Sequence, residues 1–297
     1  MPEKLPATER VPLASVGRQA AEDPLRGAAH VRLWTGLKAG LAGFGWVLRD
    51  RRLAAWTFVA VLAYVALWSA ALYAAASWDD RLVAAIMWPR GTSWWESAAY
   101  EIVHAVAYVV FWVAVLVLTF VVALPAVSPL FAFVAEATEN AYYADPIAHA
   151  SSKLELLIEL LKSVVRSLAL VAVHVSGSAV IWGVSLLVGL LFPPAATAIS
   201  IVIGGTWSAL WIGVASASYV LENNRTPLGE QLKLVAEAPV LLLGFGAVAQ
   251  VLTWLPLTAP IAVVSSTILL CQLNENGRCG LPLRDAHQRK ASASPPA

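Results

Sequence analysis

Arg49, Arg51 and Arg52 crowd the entrance to the first long apolar run, Ala54 to Ala76, which holds no charge over 23 residues. A guanidinium presents its N–H donors as a planar fork that matches a tetrahedral oxyanion. A helix N-terminus at the same place adds unpaired backbone N–H groups and the positive end of a dipole. Arginines also flank membrane spans to fix orientation and hold lipid phosphate, so the cluster suits an anion site or an anchor. Asp50 interrupts it, and no proline occurs between Pro24 and Pro89.

Three polar side chains stand inside apolar runs: His104, His174 and Gln250. Burying an ionisable group in a bilayer costs about 2.5 kcal/mol or more, so each carries a function or is a neutral group bonded to a neighbouring backbone or hydroxyl. His174 shares a helical line with Arg166, Leu170 and Ser178 at four-residue spacing. Glu101-Ile-Val-His104 is one Glu-x-x-His unit, whereas a carboxylate di-metal bundle needs a second unit and two further glutamates. His174 has Val171 three residues before it, so neither a metal nor another cofactor is expected. Phosphate-cradling GxxxxGK, HExxH and Ser-His-Asp patterns are missing, which argues against an enzyme. Cys271 and Cys279 stand eight apart with no second thiol pair, and read as reduced bystanders.

The elements that must position these groups are membrane helices. The chain has 297 residues, 59% hydrophobic and 13% charged, with thirteen tryptophans. Several runs of 17 or more residues lack charge, more than a soluble core explains. A net charge of +1 gives no bulk attraction to nucleic acid. Residues 1–29 mix Pro, Ala, arginines and the acids Glu3, Glu9, Glu22 and Asp23, so they read as a disordered tail rather than a targeting segment. Residues 276–297 read likewise, leaving 30–275 as the membrane domain.

The spacing predicts an all-α, polytopic fold. His30 to Arg49 reads as an amphipathic interfacial helix with Gly36, Gly40 and Gly43 thinning one face. Ala54–Ala76 and Ala98–Leu124 are two long spans, joined by a headgroup-level loop rich in tryptophan. Pro125 and Pro129 should stop the second span, with a new amphipathic helix starting near Leu130 that carries Glu136, Glu139, Asn140 and Tyr143 on one face. Pro193-Pro194 then forms the apex of one hairpin, whose first arm begins with a polar stripe (Glu155, Glu159, Lys162, Arg166) and whose return arm carries Gly205, Ala209, Gly213 and Ala217. Pro256 and Pro260 form the apex of a second hairpin with arms of 17 residues each, Pro239–Leu255 and Leu257–Leu273. At ~1.5 Å per residue such an arm reaches about 25 Å, short of the ~30 Å hydrocarbon layer, so this hairpin is expected to dip in without crossing.

Two stretches carry a resemblance. Leu124-Pro125, Ser128-Pro129-Leu130-Phe131 and Val134-Ala135-Glu136 are followed by Thr226-Pro227-Leu228-Gly229-Glu230 and Leu243-Gly244-Phe245-Gly246. Leu255-Pro256-Leu257, Ala259-Pro260 and Ser265-Ser266-Thr267 complete the set. In this order and spacing the chain resembles the CysZ family, also called the etoposide-induced-protein family, over roughly residues 31–275. The resemblance implies hairpins that penetrate the bilayer in part, and a homo-oligomer. Bacterial members are sulfate uptake proteins feeding cysteine synthesis. Eukaryotic members sit in the endoplasmic reticulum and are linked to membrane trafficking.

Charge orients the whole. Nine Lys/Arg precede Ala54, three stand at 153, 162 and 166, two at 225 and 233, and four follow 277; only Arg81 and Arg90 fall on the other side. By the positive-inside rule both termini are cytoplasmic. The resulting expectation is a multi-pass protein of a bacterial inner membrane that takes up sulfate or a related oxyanion, passively or coupled to an ion. The alternative is a membrane scaffold or tether that transports nothing.

Overall fold

The computed structural model describes Leu25 and residues 28–86, 93–143, 153–224, 226–255 and 257–275. Ten α-helices follow in chain order: α1 Ala29–Arg49, α2 Arg51–Ala76, α3 Asp79–Ile86, α4 Trp94–Tyr143, α5 Lys153–Leu191, α6 Pro193–Ile199, α7 Gly205–Asn223, α8 Leu228–Glu237, α9 Pro239–Trp254 and α10 Ala259–Glu275. One π-helical turn, Ser200–Gly204, joins α6 to α7 without a break. Four helices are long and apolar enough to cross a bilayer: α2, α4, Leu161–Leu191 of α5, and Pro193–Asn223 through α6 and α7. The chain is a multi-pass, all-α membrane protein. The two terminal tails and Pro256 lie outside the described residues, as does Cys279.

Pro125 and Pro129 correct one expectation. They do not end the helix, for α4 runs unbroken over 50 residues with both prolines inside it. Proline removes the N–H that would bond the carbonyl four residues back. At Pro129 that carbonyl is Pro125 O, and the Ser128 hydroxyl donates to it at 2.8 Å. The freed acceptor is satisfied from within the helix, as a backbone group at membrane depth must be. Pro193 and Pro194 act as expected: α5 stops at Leu191, and Pro193 opens α6, where a missing N–H costs nothing.

The core lies around α10. Every residue from Ala259 to Cys271 is buried, including Pro260 in the first turn, because α10 packs against α1, α2, α4, α7 and α9. Its polar residues are bonded to neighbouring backbone. Ser265 Oγ donates to Gly40 O at 2.8 Å and accepts from Gly43 N at 3.0 Å, and Ser266 Oγ donates to Ser216 O at 2.8 Å.

Glycines decide how close the other helices come. A Cβ on Gly36 of α1 would overlap Leu241 O of α9, one on Gly244 would overlap Leu33 O, and one on Gly246 would overlap Ala209 O of α7. The glycine face of α1 is therefore its packing seam against the last hairpin. Ala209, Gly213 and Ala217 of the small-residue stripe are buried, whereas Gly205 faces open space. The helices of the last hairpin are Pro239–Trp254 and Ala259–Glu275, against the expected arms Pro239–Leu255 and Leu257–Leu273. What local pattern misses is the bend at Ala238, where Gln231–Glu237 meets Pro239–Thr253 at 104°.

Candidate functional site

At membrane depth α7 is fastened to α5 by two tryptophans. Trp211 Nε1 donates to Leu170 O at 2.7 Å and Trp207 Nε1 to His174 O at 3.2 Å, with their rings stacked at 5.5 Å between centroids. Gly177 makes room, since a Cβ there would strike the Trp207 ring. One turn from these bonds the two helices part around a cavity of about 40 Å³. Leu124 of α4 closes one side, and the exposed lining is almost wholly apolar, because the Trp211 N–H and the Ser218 hydroxyl are spent on the carbonyls of Leu170 and Ala215. A cavity so lined offers water too few partners to hold it. Ser167 and Tyr219 are hydrogen-bonded to each other. His174 Nδ1 is buried and has no hydrogen-bond partner among the described residues.

The seam continues from the cavity to the C-terminal end of α7. Arg166, half-buried one residue before Ser167, reaches the Thr226 carbonyl with Nη2 at 3.5 Å. Gln231 Nε2 of α8 donates to the same carbonyl at 2.9 Å. Thr226 and Gln231 are each 2% exposed. Arg166 Nε, Thr226 Oγ1 and Gln231 Oε1 are buried with no hydrogen-bond partner among the described residues. Glu222 of α7 faces Ser163 and Arg166, so a carboxylate sits across the seam from the guanidinium. Behind them Glu139 of α4 is fully buried and accepts from Asn224 Nδ2 at 3.2 Å, while Asn223 Nδ2 donates to Ala132 O at 2.9 Å. From Ser163 to His174 the polar line spans 11 residues of α5, about 17 Å.

The structure separates the residues singled out from the sequence. Leu170 and His174 of the four-residue line reach the cavity, whereas Arg166 turns to the Thr226 carbonyl. Arg49, Arg51 and Arg52 are exposed at the joint of α1 and α2. The N-terminus of α2 does not offer them free N–H groups, because Asp50 caps it. Its Oδ1 accepts from Arg52 N at 2.8 Å and from Leu53 N at 3.0 Å. An Asp directly before a helix is an N-cap signal, and that signal was legible in the sequence. His104 lies between the rings of Tyr100 and Tyr108, with centroids at 5.7 and 5.1 Å, and Tyr108 bonds the Asp80 carboxylate. Gln250 is half-buried on α9, away from the α5–α7 seam. Among the described residues no three His, Cys, Asp or Glu side chains converge as metal ligands would.

Sequence reasoning missed the carbonyl that Arg166 and Gln231 share. Thr226 and Gln231 stand outside the apolar runs, and Arg166 read as the last member of a solvated stripe. A family model described as sulfate transporter CysZ/etoposide-induced protein 2.4 matches residues 39–263. No curated protein matches the chain.

Proposed function

The chain belongs to the sulfate transporter CysZ/etoposide-induced protein 2.4 family, and from that premise we propose that it moves sulfate or a related oxyanion across a membrane, passively or with a coupled ion. The observation that carries this reading is the α5–α7 seam. These helices otherwise turn Val180, Trp182, Leu186, Leu190 and Ile201 outward, each more than half exposed, as lipid-facing helices do. Between them runs a line with a guanidinium at its mouth and, along it, the Thr226 hydroxyl and His174 Nδ1 buried without partners among the described residues. Polar groups at membrane depth with unspent hydrogen-bonding capacity mark a substrate path rather than a packed core. The charge asymmetry supports cytoplasmic termini in a bacterial plasma membrane, and the family premise supports a homo-oligomer. Arg49, Arg51 and Arg52 serve in this reading as an exposed collecting surface near the mouth. Trp56 of α2 stacks on Phe133 of α4 at 5.5 Å, and Asn223 bonds Ala132, so both arginine sets stand at one end of the bundle.

The test is radiolabelled sulfate uptake by proteoliposomes holding the purified protein. Saturable uptake above protein-free vesicles is expected. A well-folded protein that carries neither sulfate nor another oxyanion would reject the reading and leave a scaffold or tether.

A further inference from the structure

We infer that Arg166 is the anion-binding cation of the seam, with the buried Thr226 hydroxyl as a second donor to the same ligand. This rests on the proposed transport function and adds the site to it.

Arg166 is placed like a ligand-binding arginine rather than a structural one. Nη2 makes one long contact to a backbone carbonyl that Gln231 already serves, and Nε is buried with nothing to donate to among the described residues. A guanidinium donates through five N–H groups in a fixed fork, so most of its capacity is open. Beside it the Thr226 hydroxyl, nine-tenths buried and more, is a second uncommitted donor. A tetrahedral oxyanion accepts from such a set, and a charge-assisted bond outweighs a neutral one about twofold.

Of the charged groups on the packed elements, Glu139 of α4 is held by Asn224 and Lys162 of α5 points outward.

Sulfate binding to the purified protein and sulfate uptake by proteoliposomes are measured for the unaltered chain and for Arg166→Gln and Arg166→Lys. Arg166→Gln should lose binding, and Arg166→Lys should recover part of it as charge returns without the fork. Elution profile and tryptophan fluorescence check folding for each. Unchanged binding in Arg166→Gln overturns the site while leaving transport standing. No uptake or binding by the unaltered chain removes both.

Discussion

Two helical hairpins in this molecule, α5–α7 and α9–α10, end in opposite surroundings. The α5–α7 hairpin keeps an apolar surface open along most of its length, with Leu187, Leu190 and Leu191 at 65%, 77% and 89% exposure. The α9–α10 hairpin is enclosed by protein, and Phe245, Ala249, Ala262 and Val264 have no exposure at all. Hydropathy alone does not separate them. The difference is in the small residues: Gly244, Gly246, Ser265 and Ser266 let backbones touch, and backbones that touch exclude lipid. Shielded from lipid, a helix is freed from matching the bilayer thickness, so arms of 16 and 17 residues suffice.

The sharpest way to break this contrast is a bulky residue at one glycine of each hairpin. Gly246→Leu drives a side chain into the Ala209 carbonyl, where backbone on both sides cannot yield. We expect loss of about 3 kcal/mol or more and aggregation on size-exclusion chromatography in detergent. Gly183→Leu on α5, with nothing within 4 Å of its Cβ, should leave elution and melting unchanged. Equal damage at both would show that the hairpins are alike after all.

A smaller effect is expected at Ser265. Ser265→Ala removes a hydroxyl bonded to Gly40 O and Gly43 N and leaves both buried groups short of a partner. About 1–3 kcal/mol should be lost, read as a lowered melting midpoint. Ser185→Ala, which removes a buried hydroxyl with no partner among the described residues, should be neutral or stabilising by the same measurement.

The smallest is Trp211→Phe, which keeps an aromatic ring but loses the bond to Leu170 O. Polar bonds between membrane helices average ~0.6 kcal/mol, so melting should hardly move. Solvent exchange at the cavity should rise, seen as faster labelling of a cysteine placed at Ala215, a residue lining it. Unchanged labelling would mean that the two tryptophans do not hold the seam closed.

How much was legible follows from the same contrast. Uncharged runs and apex prolines located the spans and the arms of the last hairpin, because length and apolarity are written locally. Which neighbour an apolar face meets is not written locally, so the enclosure of α10 and the packing seam of α1 appear only in the fold. Pro125 and Pro129 misled because the rescue at Pro129 depends on one hydroxyl, Ser128, turned back onto the helix. Arg166 was visible as a charge, but the Thr226 carbonyl it reaches lies 60 residues further along the chain.

The length of α4 has a mechanical consequence. Fifty residues make about 75 Å of helix, and even a bilayer with its headgroups is only ~45 Å thick. Its exposed apolar side chains run from Ile102 to Val122, about 32 Å and one hydrocarbon layer, and the buried positions Ala123 and Val127 follow just beyond. That band is a ruler for the membrane. Beyond it the same helix turns Val127, Phe131, Val134 and Ala135 into the core, so one uninterrupted rod is lipid-facing along one half and a strut of the protein interior along the other.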